Sequence, residues 1–389
     1  LTSFAAFDTL RSVAIQAGRR RNPAVRPEAV QNIRRTTEEE TMSGDSLSDV
    51  LRAVRLRGAV FFYVEGSDPW VVETPPSCEI IPAILPGVEH LMPFHWVSRG
   101  SCWASLLDGE PVRLEGGDLV LFPLGDHHVM SSAPGLRAMS VDPSVYFAPR
   151  PPQLPFSLRI TAQGMTTAGP SAGGDVKMQV VCGFLGCDAR PFNPLLASMP
   201  RVLRMPAVAG GGNSWVSNIL HSMVDESNRK RPGGEAVLER MSEMLFIEAL
   251  RAYLDQLPVN ETGWLAATRD VSVGRALGLM HQYPAQAWTL EQLGKEAGLS
   301  RSSFHERFVH FLGQSPIQYL AQWRMQLAAG RLRDTDEKVL EIASSVGYES
   351  EDAFARAFKR AVGQSPGAWR RTRRAGSERQ APTSPVLVA

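Results

Sequence analysis

The 389-residue chain has no long apolar run: stretches such as Gly58–Val64 and Leu119–Phe122 fall far short of the ~20 residues a membrane helix needs, so no membrane partner is expected. It has little cysteine. Cys78, Cys102, Cys182 and Cys187 are too few and too scattered for a disulfide scaffold, and no C-x-x-C pair suggests structural zinc. Reduced thiols in a cytoplasm follow as the expectation. A Gly-rich phosphate loop, a Ser/His/Asp nucleophile pattern and a paired-carboxylate motif are also missing, so no catalytic residue, cofactor or metal is expected. Net charge is nearly absent, with 41 Lys and Arg against 40 Asp and Glu. As an average, that argues against a uniformly basic nucleic-acid binder. What is present, 43% hydrophobic and 21% charged residues, describes a globular chain able to bury a core, at a length that suggests two or three domains.

The near-zero charge conceals opposed regions. Residues 1–41 hold 7 basic and 5 acidic groups, 42–263 hold 17 and 23, and 264–376 hold 16 and 11, so an acidic middle precedes a basic C-terminal region. Leu1–Thr41 carries Arg19-Arg20-Arg21 behind a weakly apolar start and has no sustained apolar period, which predicts a disordered extension rather than a signal peptide. The change of character at Met42 leads to the expectation that the natural product starts there, with Leu1–Thr41 as upstream sequence.

In the middle, short apolar runs alternate with Gly and Pro turns. Gly58–Val64, Cys78–Leu85, Leu91–Val97, Ser101–Leu107, Val112–Leu114, Asp118–Phe122, His128–Ser131 and Lys177–Phe184 read as strands, after a short helix carrying Leu47, Val50, Leu51 and Val54. Many short, closely spaced strands predict an antiparallel barrel or sandwich. Around Ser214–Glu226 and Gly234–Leu257 the period becomes helical, with Leu238, Met241 and Leu245 on one stripe. This pair can pack on the barrel, and its surplus apolar edge is a candidate dimer surface. Pro258–Gly263 reads as a linker.

The strongest signal is an internal repeat about 50 residues apart. Gly313-Gln314-Ser315-Pro316 returns as Gly363-Gln364-Ser365-Pro366, and Phe304 and Phe308 return as Phe354 and Phe358. Each copy reads as a helix-turn-helix. In the first, Thr289 caps a helix with Gln292 at the capping-box position, Gly298 makes the turn, and Ser300 caps a second helix. Phe304, Phe308 and Phe311 then face inward, leaving Arg301, Ser302, His305 and Glu306 outward at the end that enters a major groove. The second copy caps with Ser350, buries Phe354 and Phe358, and presents Glu351, Asp352, Ala355, Arg356 and Lys359. Pro316–Leu332 reads as a helical spacer between them. Arg324, Arg331, Arg333, Lys359, Arg360 and Arg370-Arg371 are candidate phosphate contacts, which supply affinity more than specificity.

The run from Ile342-Ala343 through Val346-Gly347-Tyr348, Phe354-Ala355-Arg356-Ala357-Phe358-Lys359 and Gly363-Gln364-Ser365-Pro366 resembles the signature of AraC/XylS-type transcription regulators. The resemblance covers roughly Trp288–Arg371. It implies two reading units on successive major-groove segments of double-stranded DNA, with Ser302, His305, Glu306, Glu351, Asp352 and Arg356 facing bases. Arg356 suits a guanine and Glu306 a cytosine amino group.

Gly117-x5-Pro123-x-Gly125-x2-His128 resembles the second cupin motif, while His95-Trp96-Val97 holds one of the two histidines of the first. With Pro93–Trp103 and Val181–Leu196, the region Leu47–Leu257 is similar to the cupin sensor domain of one branch of AraC-type regulators. This implies an antiparallel β-barrel with packed helices, followed by an all-α tandem helix-turn-helix domain. The expected division is a 1–41 extension, a 42–257 sensor and dimerisation domain, a 258–267 linker, a 268–375 DNA-binding domain and a 376–389 disordered tail. His95, Trp103 and His128 are the effector-binding candidates; two histidines fall short of the three or four ligands a metal site usually needs. Cys182 and Cys187, with four residues between them, are a candidate reversible disulfide, beside the plainer reading of inert buried thiols. The expected function is sequence-specific transcription regulation with a small-molecule effector, RNA polymerase and a second copy as further partners. The alternative is a metal-dependent cupin oxygenase or isomerase carrying an accessory DNA-binding domain.

Overall fold

The structure is a computed structural model and describes residues 45–138, 144–147, 154–162, 164–167, 176–207 and 215–378. The expectations for Leu1–Thr41, for a start at Met42 and for the tail beyond 378 lie outside these residues. The first part of the chain forms α1 (Ser46–Ala53), β1 (Arg57–Gly66), β2 (Val71–Thr74), α2 (Ser77–Ile84), β3 (His90–Arg99), β4 (Ser101–Leu106), β5 (Val112–Glu115), β6 (Leu119–Leu121), β7 (His128–Ser131), α3 (Ser144–Phe147), β8 (Phe156–Thr161), β9 (Gly164–Thr167), β10 (Met178–Cys187) and β11 (Leu203–Met205). Two long helices follow, α4 (Trp215–Arg229) and α5 (Gly234–Gln256). The helical region contains α6 (Trp264–Arg269), α7 (Val271–Gln282), α8 (Leu290–Glu296), α9 (Arg301–Leu312), α10 (Pro316–Asp334), α11 (Val339–Ser345), α12 (Glu351–Val362) and α13 (Pro366–Glu378).

A seven-stranded sheet in the order β11-β6-β3-β10-β1-β8-β9 opposes a four-stranded sheet in the order β2-β7-β4-β5. The β1–β8 pair is parallel, so the larger sheet is mixed where an antiparallel arrangement was expected. Its central strands are covered on both faces, which makes β3 an almost continuous buried run. Strand alternation divides their side chains. Leu91 and Val97 of β3 with Val180 and Phe184 of β10 face the opposing sheet, whereas Met92, Phe94, Trp96, Val181, Leu185 and Cys187 face the helical layer. The expected strand Cys78–Leu85 is instead α2. Ser77, Ile80 and Ile84 are its buried stripe at helical spacing, which the neighbouring Ile81 disguised as a continuous apolar run.

The helical region follows from its end signals. Thr289 and Gln292 form the expected capping box, Ser300 accepts from Ser303 N and Ser350 from Ala353 N, and Ser315 caps α10 with Pro316 at its first position. The two turns place Gly298 and Gly347 at φ +71° and +82°, a backbone region that side-chain-bearing residues avoid. The linker is shorter than expected. Trp264, Leu265 and Ala267, inside the expected 258–267 segment, are almost fully buried in α6.

One apolar core runs from the helical face of the large sheet through α4 and α5 into the first helix-turn-helix, joining Phe94 and Leu245 to Trp264, Phe308, Tyr319 and Trp323. The second helix-turn-helix has its own core of Leu332, Ile342, Val346, Phe354, Phe358 and Trp369. α10 spans both.

Candidate DNA interface and sensor cavity

The helices expected to read DNA are α9 and α12. Phe304 and Phe308 anchor α9, and Phe354 and Phe358 anchor α12, all at zero exposure. This turns Arg301, Ser302 and Glu306 outward on α9, with His305 half-buried beside them. On α12, Glu351, Asp352, Arg356 and Lys359 are exposed. Arg301, Arg356 and Lys359 pair with no carboxylate among the described residues. Glu351 and Asp352 fill the first turn of α12, where the unpaired N–H groups favour negative charge. That position gives them a structural role independent of DNA.

Four of the basic residues expected at phosphates are engaged elsewhere. Arg324 donates to the carbonyls of Pro284 (2.7 Å) and Gln286 (2.8 Å), and Arg370 to those of Leu332 (3.2 Å) and Glu337 (2.5 Å). Arg331 pairs with Glu337, and Arg333 binds Asp188 of the β region at 2.6 Å. Lys359, Arg360 and Arg371 stay exposed. The tertiary roles of Arg324, Arg333 and Arg370 could not be read from a local charge run, because their acceptors lie on distant segments or are backbone carbonyls, whereas Arg331 meets a carboxylate six residues on.

Between the two sheets lies a cavity of about 50 Å³. Phe62, Trp70, Tyr146, Met178 and Phe184 make its apolar wall, and His95, Thr74 and Cys182 supply polar atoms. His128 Nδ1 faces the Asp126 carbonyl at 2.9 Å, which can only accept, so that nitrogen carries the proton. Its Nε2 therefore accepts from His95 Nε2–H at 2.8 Å, leaving His95 Nδ1 to accept from the Cys182 thiol at 3.0 Å. Phe122 stacks on His128 at 3.8 Å and fixes the ring plane. The result is one directional chain, Cys182 to His95 to His128 to the Asp126 carbonyl. Burial, with His128 adding to it, holds His95 well below the usual imidazole range; burial also pulls His128 down to about 4. Both rings are neutral. Burial likewise pushes the Cys182 thiol well up, with Cys102 adding to it.

This donor set does not fit a cupin metal centre. The facing Nε2 atoms are spent on each other, and Cys182 lies on the opposite nitrogen of His95, so the three donors do not converge on one point. Two further candidates are corrected. Trp103 sits on the outer face of β4, while its neighbours Cys102 and Ala104 point inward, so alternation takes it away from the cavity. Cys182 and Cys187 lie five residues apart on one strand, on opposite faces and about 16 Å apart at ~3.3 Å per residue, too far for a disulfide within β10. Trp70, Thr74 and Tyr146 were missed as cavity residues. Tyr146 donates to Thr74 Oγ1 at 3.3 Å across a sequence separation that no local pattern announces.

A family model described as Cupin matches residues 45–255, and one described as Helix-turn-helix domain matches 293–372. An AraC-like transcription regulator of Streptomyces lividans is 30% identical over 329 residues, spanning 84% of this chain and 98% of that protein. The chain belongs to the AraC-type transcription regulators. A second relative, the HTH-type transcriptional regulator AlkR of Acinetobacter baylyi, is 27% identical over 83% of this chain and 97% of its own length. Among solved structures, the C-terminal domain of AraT, a response regulator from Geobacillus stearothermophilus, is 35% identical over 26% of this chain and 84% of that one, with a TM-score of 0.26. In this AraC-type chain, the cupin-like region and the reader also meet through polar contacts. Gln326 of α10 accepts from Phe192 N at 3.1 Å and donates to the Ala53 carbonyl at 3.0 Å; Asp188 is gripped by Arg333 and by Arg55 at 3.3 Å, and Glu89 pairs with Arg373 of α13. Asp188 directly follows β10, the strand that carries Cys182 into the cavity.

Proposed function

We propose that this regulator reads two successive major-groove segments with α9 and α12, and that a small, largely apolar effector held between the two sheets controls the reading. The observation that carries this is the pair of exposed reading ends joined by α10. That helix has 19 residues, about 28 Å at 1.5 Å per residue, close to the ~34 Å of one DNA turn. Arg301, Ser302, His305 and Glu306 serve the first segment, and Arg356 with Lys359 the second; Glu351 and Asp352 flank it. His95, His128 and Cys182 line or support the effector site. The effector acts by favouring one arrangement of the contacts at Asp188 and Glu89 over another. The same reading makes the barrel a sensor rather than a catalyst, places the protein in the cytoplasm with its DNA, and brings in RNA polymerase as the machinery that responds. No described helix is long and apolar enough to cross a membrane. A homodimer is supported by the exposed Trp215, Val237 and Met244 on α4 and α5.

Selection of binding sites from random double-stranded DNA, followed by footprinting, tests the reading. Two base-specific segments about 10 base pairs apart are expected. Binding without sequence preference, or a single short segment, would contradict it.

A further inference from the structure

We propose that Cys182 is the cavity's reactive group, a thiol that forms a covalent adduct with a small α,β-unsaturated carbonyl compound, with His95 as its base. The inference rests on the reading of the barrel as the sensor and names the chemical class it would sense. Three observations converge on it. Cys182 is only half-buried, whereas Cys102 and Cys187 are fully buried, and it lines the cavity. Its Sγ lies 3.0 Å from a ring nitrogen that the His128–Asp126 chain leaves as an acceptor. Trp70, 3% exposed in the same wall, has an indole N–H with no acceptor among the described residues. A volume of about 50 Å³ admits a molecule of few heavy atoms, and the aromatic wall favours a flat conjugated one.

The addition balances without an oxidant. Sγ bonds to the β-carbon as the C=C electron pair moves to the enolate, and the thiol proton passes to His95 Nδ1. The imidazolium then returns that proton to the α-carbon, and His95 is neutral again. The base removes the thiol proton as the C–S bond forms.

The test uses full-length protein carrying Cys78→Ser, which removes the exposed thiol outside the cavity and the reading helices, with methyl vinyl ketone as probe. Peptide mapping by mass spectrometry should find one adduct, on Cys182, and none in Cys182→Ser. His95→Gln should slow its formation by roughly 10²-fold. Because that variant could misfold, the rate on Cys182 is also compared with glutathione at the same pH, where an excess of about tenfold is expected and an equal or slower rate overturns the proposal. The adduct should change affinity for the selected DNA by about tenfold; an adduct on Cys182 with unchanged affinity overturns its role as a signal. Cys182 left unmodified in a protein that binds its DNA overturns the covalent proposal alone. A protein that binds no DNA overturns the regulator reading, and this proposal with it.

Discussion

The two helix-turn-helix units repeat each other in sequence but are built into the molecule differently. The first shares a continuous core with the sensor: Phe308 packs against Tyr319, Trp264 donates to the Tyr319 hydroxyl at 2.7 Å, and that hydroxyl donates to His281 at 2.8 Å. The second closes on itself around Phe354, Phe358 and Trp369, and reaches the sensor through ion pairs at Asp188 and Glu89. Packed cores transmit displacement as rigid units, whereas ion-paired contacts release with salt or loss of a charge. The first unit is thus a fixed extension of the cupin-like region, and on the proposed reading the second is the one whose position a signal would change.

Core truncation should break the comparison open most widely. Phe308→Ala and Phe358→Ala should each cost about 3–5 kcal/mol. The difference lies in where the loss spreads. Hydrogen exchange should show Phe308→Ala loosening the large sheet as well as α9, and Phe358→Ala loosening only the second unit; identical patterns would mean that the two units are equally independent. Asp188→Asn comes next, at about 2–3 kcal/mol for charge-assisted hydrogen bonds, because Asp188 is nearly buried and holds both Arg333 and Arg55. It should raise exchange in α12 and α13 and leave α9 protected.

Acid separates the units by a different route. His281, stacked at 4.0 Å on Trp323 in the shared core, is pulled by burial down to about 3. Its ordinary value is about 6.5. Between these values the unfolded chain binds a proton that the folded chain does not, so its contribution is complete above about pH 6.5 and falls as pH drops towards 3. From pH 7 to 5 the shared core should lose about 2 kcal/mol, at ~1.4 kcal/mol per unit below the unfolded value. His95 and His128 act in the same direction within the sensor. Residues 316–378 contain no histidine, so the second unit should not respond in this window. Thermal melts across that pH range, followed by exchange in each unit, check it.

The repeat, its caps and its spacer were legible because each rests on local chemistry: Thr289 with Gln292, Ser300 three residues before Ser303, Pro316 after Ser315. The strand pattern was legible for β1, β3 to β7 and β10, whereas β2, β8, β9 and β11 went unread, although β8 alternates along Phe156–Thr161. What else stayed hidden depended on contacts between distant segments. Nothing near Arg333 announces Asp188, 145 residues earlier, and nothing near Tyr146 announces Thr74. The cavity was half visible for the same reason: a motif points to His128 and to His95, but Cys182 enters through its register opposite His95 on the neighbouring strand. Register also removed Trp103, which a one-residue shift along β4 would have turned inward.

The smallest expected effect tests whether the second unit reads bases at all. Arg356 and Lys359 lie three residues apart on α12, exposed and without an acidic partner among the described residues. A side chain that bonds a base edge changes discrimination at one position, whereas one that neutralises a phosphate lowers affinity for every sequence equally. Arg356→Ala should therefore relax preference at a single base pair by on the order of 1 kcal/mol, and Lys359→Ala should weaken all sites together while reducing the salt slope by about 1. Neither should alter the melting temperature, since both side chains stand outside the core. Competition binding against a panel of single-base variants of the selected site, repeated at two salt concentrations, separates the outcomes. If both variants weaken every sequence alike, the second unit serves only to grip the backbone, and specificity rests with the unit that is locked to the sensor.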